Sequence, residues 1–249
     1  MTLIRCEALR KSFGGVEALR GVSLQLPAVG LVAVIGPNGA GKTTLLNALT
    51  GFVRCDSGRI VMDGHDMTRK RPHQIARLGV ARTFQELRVV GGLSVIENVM
   101  LGRRHLRGEQ LWRTLLRIGV EREESANRGD AMQCLGRVGL DDQAERLAGE
   151  LSYGQQKLLS LACCVHAEAR VMLLDEPFAA VNPVLADQVI SIMKSTRDKG
   201  GLVVFVEHDI SAVRRTAEQV LVMDGGSVLA QGAPAEVLER PEILEAYVG

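Results

Sequence analysis

Residues 36 to 44 read Gly36-Pro37-Asn38-Gly39-Ala40-Gly41-Lys42-Thr43-Thr44, the spacing G-x-x-x-x-G-K-[ST]. Residue types in that order do phosphate chemistry. Glycines let the backbone curl so that its N–H groups face inward around phosphates, and a following helix N-terminus adds its dipole. Lys42 supplies a charge for β- and γ-phosphates, and the Thr43 hydroxyl suits a magnesium ion. The alternative is an ordinary glycine-rich turn. The apolar run Leu31–Ile35 before the loop predicts a buried strand, and Lys42–Thr50 predicts a helix that stops at Gly51. Strand, loop, lysine, hydroxyl and helix stand in the order that nucleoside triphosphate binding requires.

A second constellation lies far down the chain. Val171-Met-Leu-Leu-Asp175-Glu176-Pro177 puts two carboxylates at the C-terminal end of an apolar strand, the edge of a parallel sheet where ligands bind. Asp175 can hold magnesium, and Glu176 can polarise a water aimed at a γ-phosphorus; the alternative is a pair that merely caps the next helix. His208, in Val206-Glu207-His208-Asp209, follows another apolar strand and is expected at the same edge. There it can donate to the γ-phosphate or orient the water, although a lone histidine is more often structural. Gln85, in Arg82-Thr-Phe-Gln85, offers an amide within reach of magnesium or water. Leu151-Ser152-Tyr153-Gly154-Gln155-Gln156 opens a helix with Ser152 as N-cap. Two readings stay open for it: a second anion site, or a simple capped helix.

The elements that must position these groups alternate as an α/β chain. Leu3–Ala8, Gly21–Leu26 (ended by Pro27) and Arg59–Met62 before the turn Asp63-Gly64 are strand candidates in a β-rich N-terminal part. Gly79–Ala81 is a further short strand. Residues 94–148 differ, with a capping box at Ser94–Glu97, dense arginines and glutamates over Arg103–Glu124, and a helix over about Ala126–Val138. They read as a mainly helical insertion. Helices are expected again over Gly154–Ala167, Pro183–Asp198 and from Ile210, with strands at Val171–Leu174, Gly201–Val206, Val220–Met223 and Val228–Ala230. Two amphipathic pieces, Pro234–Glu239 and Pro241–Tyr247, close the chain.

With 249 residues and 46% hydrophobic content the chain can bury a sizeable core, and a net charge of +1 gives no global field toward nucleic acid or acidic membranes. The basic clusters Arg69-Lys70-Arg71 and Arg103-Arg104-His105 lack interleaved aromatics. Five cysteines form no even framework and no C-x-x-C pair; Cys163 and Cys164 read as small buried hydrophobes in a reducing compartment. No run approaches eighteen apolar residues, so a soluble, cytosolic chain is expected, peripheral if it serves a membrane process.

Taken together these motifs resemble the ATP-binding subunit of ATP-binding cassette (ABC) transporters over essentially the whole chain. The match consists of a Walker A loop at Gly36–Thr44, a Q-loop glutamine at Gln85, a signature motif at Leu151–Gln156, a Walker B strand at Val171–Glu176 and a switch histidine at His208. The resemblance implies a P-loop NTPase (ABC ATPase) core with an N-terminal antiparallel β subdomain and a helical subdomain around 94–148, in one ATP-binding domain over 1–249. It implies ATP and Mg2+ as cofactors, Glu176 as catalytic base with His208 and Gln85, and Thr43, Gln85 and Asp175 as metal ligands. Phe13 matches the aromatic that stacks on adenine, and Ser152, Gly154 and Gln155 would contact ATP held by another subunit. Implied partners are integral-membrane permease subunits, a second ATP-binding subunit (the same chain or a sister) and indirectly a solute-binding protein, with no nucleic acid. The implied location is peripheral, at the cytoplasmic face of the inner (cell) membrane.

Two departures stand out: Tyr153 where the signature usually has glycine, and Asn182 in Ala179-Ala-Val-Asn182-Pro183 where the family usually has aspartate. The wording is similar to the LivG-type ATPases of branched-chain amino acid importers, through Phe13-Gly-Gly15, Arg82-Thr-Phe-Gln85, Val95-Ile-Glu-Asn98, Asn182-Pro183 and Ala246-Tyr-Val-Gly249. Urea and short-chain amide importers and the lipopolysaccharide-export ATPase share many of these residues. A non-transport cassette protein is the rival from another class; a P-loop kinase or GTPase would leave Leu151–Gln156 and His208 without a role.

Overall fold

Two glycines at a hairpin tip start the fold. Gly14 and Gly15, at φ 52 and 88, take the left-handed turn that joins strand β1 (Thr2–Phe13) to β2 (Val16–Pro27). The strands pair antiparallel from Thr2↔Pro27 to Phe13↔Val16. Both run well past the expected Leu3–Ala8 and Gly21–Leu26, because cross-strand pairing carries the polar tip residues that show no apolar alternation. Strand β4 (Ser57–Met62) pairs with β1 on its other side, and β5 (His65–Asp66) follows the Asp63-Gly64 turn, so this antiparallel sheet has the order β2-β1-β4-β5. The computed structural model describes residues 2–83, 89–103, 120–241 and 243.

The second sheet has the order β10-β9-β3-β8-β7-β6, formed by β3 (Gly30–Ile35), β6 (Val80–Arg82), β7 (Val171–Asp175), β8 (Leu202–Val206), β9 (Gln219–Asp224) and β10 (Ser227–Gly232). All neighbours pair parallel except β10, which is antiparallel to β9. Every residue of β3, β7 and β8 is buried, which is why these strands are almost wholly apolar, with Asp175 at the end of β7 the one charged residue among them. Helix α1 (Lys42–Leu49) buries Leu45, Leu46 and Leu49 in the same apolar cluster as Val32, Val34 and Val204, each worth about 1.5–3 kcal/mol. It ends where expected, with Gly51 at φ 73 just beyond. The remaining helices are α2 (Pro72–Arg77), α3 (Val95–Met100), α4 (Val120–Val138), α5 (Tyr153–His166), α6 (Pro183–Asp198), α7 (Ile210–Thr216) and α8 (Pro234–Val237). Among the described residues none is long and apolar enough to cross a membrane.

The chain divides into two compact units, one of Met1–Arg82, Arg170–Phe178 and Met193–Gly249, the other of Thr83–Ala169 and Ala179–Ile192. The first holds both sheets; the second holds α3, α4 and α5. Within the second, the Ser94 Oγ accepts from the Glu97 N–H while the Glu97 carboxylate accepts from Ser94, the capping box that the sequence predicts. Helix α4 starts six residues before the expected Ala126, because Glu121-Arg122-Glu123-Glu124 are good helix formers without an apolar stripe. Helix α8 ends at Val237, two residues short of the expected Glu239.

His166, in the last turn of α5, is buried with its Nε2 2.7 Å from Asn127 Oδ1 and its Nδ1 3.9 Å from Cys134 Sγ. Burial first, then the Arg103 charge, push its pKa below the ordinary imidazole value, against the opposing pull of Asp130 and Glu168. The unfolded chain therefore takes up this proton more readily than the folded one, so the contribution is complete above about pH 6.5 and is lost as pH falls through the depressed folded value. We expect the urea midpoint to drop between about pH 7.5 and pH 5.5, and His166→Gln to drop by less over the same window. Equal pH slopes for the two proteins would contradict this.

Candidate functional site

Strand β3 delivers the chain at Ile35 into the glycine loop, and the loop's geometry explains its composition. A Cβ on Gly36 (φ 150) would lie 2.0 Å from the Met223 carbonyl oxygen, and one on Gly41 (φ 94) 2.4 Å from the Ala18 carbonyl oxygen. Gly39 (φ 81) differs: its Cβ would meet nothing within 4 Å. Two glycines are thus required by close packing; the third faces open space and is favoured by its left-handed φ. Helix α1 begins directly after Gly41, with no side-chain cap and no acidic residue in its first turn, so its N-terminal dipole is left for an anion. The Lys42 Nζ donates to the Gly36 and Pro37 carbonyl oxygens at 2.7 and 2.8 Å. Burial lowers the Lys42 pKa, and the charges of Glu176 and Asp175 oppose that shift. Thr43, the next residue, is exposed.

These glycines separate two effects. Gly36→Ala should cost roughly 1–3 kcal/mol of stability through the backbone clash, seen in a thermal melt. Gly39→Ala lacks the backbone clash and should cost less, about 1 kcal/mol from the strain of an alanine at φ 81, yet bind ATP at least about tenfold more weakly, seen by nucleotide titration, because the strained loop no longer presents its N–H groups to a phosphate. Unaltered nucleotide affinity in Gly39→Ala would count against phosphate binding there.

Parallel register brings the second constellation to the same sheet edge. Asp175 pairs with Val206 at the ends of β7 and β8, so residues 176–178 and 207–208 emerge side by side. Glu176 sits at φ 49, an uncommon conformation for a glutamate, and its N–H donates to the Val206 carbonyl at 3.1 Å. Its side chain is 28% exposed; that of His208 is 64% exposed, with Nδ1 4.0 Å from the Glu176 carboxylate. Lys42, Asp175, Glu176 and His208 are therefore gathered, as their positions after buried strands predict. The hydroxyl of the exposed Thr43 and the Asp175 carboxylate are hard oxygen donors, the chemistry that magnesium with phosphate oxygens requires.

Two residues at this edge escape sequence reasoning. Arg82, at the end of β6, donates from Nη2 to Asp175 Oδ2 at 3.0 Å and from Nη1 to Asn47 Oδ1 at 2.6 Å and Thr50 Oγ1 at 3.2 Å. The Arg82 and Asp175 side chains are 4% and 3% exposed, a buried ion pair linking α1 to β7. Glu207 is 1% exposed and accepts from the Phe178 N–H at 2.9 Å and the His208 N–H at 3.2 Å. The one available signal was a charged residue set directly against an all-apolar strand.

In the other unit, Ser152 caps α5: its Oγ accepts from the Gln155 N–H at 3.3 Å, and the Gln155 Oε1 accepts from the Ser152 N–H at 2.9 Å. A Cβ on Gly154 would lie 2.7 Å from Leu185 Cδ1, so a side chain there would require only the leucine tip to shift. Tyr153 is half exposed, its ring 5.7 Å from the Lys157 Nζ, which donates to the Ala179 carbonyl at 2.6 Å. Asn182 accepts from the Leu185 N–H at 2.9 Å and so caps α6 as an aspartate would. Phe13 is exposed at the hairpin end of β1, with the Lys11 Nζ 5.2 Å from its ring. Gln85, most of 103–119 and the final Ala246–Gly249 lie outside the described residues. None of the five cysteines is in a disulfide; Cys163 is only partly buried and donates to the Asn98 carbonyl, where Cys164 is buried.

Fold and site define a nucleoside-triphosphate-binding domain of the phosphate-loop class, with an acidic Walker-type strand end and a histidine at one edge of a parallel sheet. Comparison with known proteins narrows the class. The family described as ABC transporter matches residues 19–179. The chain is 35% identical over 249 residues to the high-affinity branched-chain amino acid transport ATP-binding protein BraF of Pseudomonas aeruginosa, covering 99% of this chain and 98% of that protein. It is 34% identical to the corresponding LivG protein of Escherichia coli, with 99% and 98% covered, and 34% identical to a probable LivG of Archaeoglobus fulgidus, with 100% and 96% covered. Among solved structures, a nucleotide-free ATP-binding cassette from an ABC transporter superimposes at a TM-score of 0.86 with 31% identity over all of both chains. An ADP-conformation cassette superimposes at 0.83 with 31% identity over 100% and 99%. The chain belongs to the ABC transporter family, as one of its ATP-binding cassettes.

Proposed function

We infer that this chain is the ATP-hydrolysing subunit of an importer for branched-chain amino acids. One observation carries the reading: its similarity, at 34–35% identity over nearly its whole length, to ATP-binding proteins named for branched-chain amino acid transport. In this reading residues 1–249 form a single cassette whose helical subdomain, about 94–148, receives the membrane partner. The chain sits peripherally at the cytoplasmic face of the inner membrane, on two permease subunits supplied by a solute-binding protein. It pairs with a sister cassette or a second copy.

The residues divide the work. The N–H groups of Gly36–Thr44 and the Lys42 ammonium hold the triphosphate, and Phe13 stacks on the adenine. Thr43, Gln85 and Asp175 would hold magnesium, which would neutralise phosphate charge. Glu176 accepts a proton from water as the water oxygen bonds to the γ-phosphorus and the bond from that phosphorus to the ADP oxygen breaks. His208 donates to the γ-phosphate. Ser152, Gly154 and Gln155 of the opposing subunit close over the same nucleotide from their helix N-terminus. Closure and reopening of the pair drive transport.

The test is reconstitution with the permeases that co-purify. ATP-dependent uptake of labelled leucine, isoleucine or valine into vesicles supports the reading. Uptake of urea or an amide instead, or co-purification with ribosomes or DNA and no permease, overturns it.

A further inference from the structure

The geometry points to Glu207 as a positioning residue for hydrolysis, one whose buried carboxylate ties the turn carrying Glu176 to the turn carrying His208. Its two oxygens divide between two backbone donors on separate turns: Oε1 accepts from the Phe178 N–H at 2.9 Å, and Oε2 from the His208 N–H at 3.2 Å. Its own N–H donates to the Val34 carbonyl at 3.2 Å, two residues before the glycine loop. Three segments that carry Lys42, Glu176 and His208 thus meet at one residue.

Only a carboxylate of this length provides two acceptors; a glutamine provides one acceptor and a donor. The Glu176 backbone at φ 49 needs its neighbours to hold it there, and the bond to Phe178 fixes the chain two residues beyond it. Burial is severe enough to push the Glu207 carboxyl above the usual carboxylate range, with the Glu176 charge adding and His208 and the two backbone donors opposing. Keeping such a group at 1% exposure is costly, and an apolar side chain would fill the space more cheaply. What the carboxylate adds is the link between the two turns.

The inference rests on the reading of Glu176 as the base and His208 as the γ-phosphate donor. The test uses the full chain with its permeases and compares wild type, Glu207→Gln, His208→Ala, the double variant and Glu176→Gln. We expect Glu207→Gln to lower kcat at least about tenfold while ATP affinity stays within about twofold, a split that a merely destabilised protein does not produce. We also expect most of that loss to vanish when His208 is already alanine, since coupled residues are not additive. A kcat for Glu207→Gln within about twofold of wild type, or full additivity in the double variant, overturns the inference. Normal turnover in Glu176→Gln would instead remove the underlying site reading, so the two failures are distinct. If Glu207→Gln does not bind ATP, Glu207→Asp, which keeps both oxygens on a shorter stem, is measured in its place; wild-type kcat there also overturns the inference.

Discussion

Glu176→Gln is expected to abolish steady-state ATP hydrolysis, by about 10²–10⁴-fold, and to leave ATP binding intact. The amide matches the carboxylate in size but cannot take the proton from an attacking water. Its neighbourhood is built to orient that group: the residue follows the buried Asp175, its backbone sits at φ 49, and its N–H is bonded to the end of β8. Glu176 is also accessible enough to meet water, at 28% side-chain exposure. The lysine, the glycine loop and the α1 N-terminus, which hold the phosphates in this reading, do not depend on it. The variant should therefore load ATP and retain it, and gel filtration with ATP should show a long-lived closed pair. Phosphate release measured at saturating ATP is the check; a wild-type rate would remove Glu176 from the role of base.

Arg82→Ala is expected to destabilise the protein by about 3–5 kcal/mol, because it removes one member of a buried ion pair. At 2–4 °C per kcal/mol for a chain of this size, the melting temperature should fall on the order of 10 °C. The bonds to Asn47 and Thr50 at the end of α1 are lost with it, so the helix behind the phosphate loop loosens as well. The comparison that isolates the charge is the double variant Arg82→Met with Asp175→Asn, which removes both charges of the pair and should recover much of the stability. Calorimetric melts of the three proteins decide. A single variant melting within about 2 °C of wild type would show that this pair carries no such penalty.

Both residues illustrate what was legible in the chain and what was not. The Walker-type loop, the Ser94–Glu97 capping box, the Ser152 cap and the apolar strands are local: each depends on a few consecutive residues and on backbone rules that hold anywhere. The Ser94–Glu97 box, the Ser152 cap, Pro183 at the start of α6 and Gly51 after α1 all occur where the residue pattern predicts. The ends furthest from expectation are those of β1, β2 and α4, where polar residues continue an element without any apolar period. In β1 and β2 the cross-strand partner, not the residue itself, holds Arg10, Lys11 and Ser12 extended.

The amino-acid sequence by itself determined that this protein binds a nucleoside triphosphate and has the motif set of an ATP-binding cassette, because those motifs are short runs whose chemistry is written in their own side chains. Only the tertiary structure decided who stands next to whom at the sheet edge. Arg82 meets Asp175 across 93 positions, and Glu207 meets Phe178 across 29, through the parallel register of β6, β7 and β8. A register is a property of strands brought together from distant parts of the chain, and no local pattern encodes which side chains it will align.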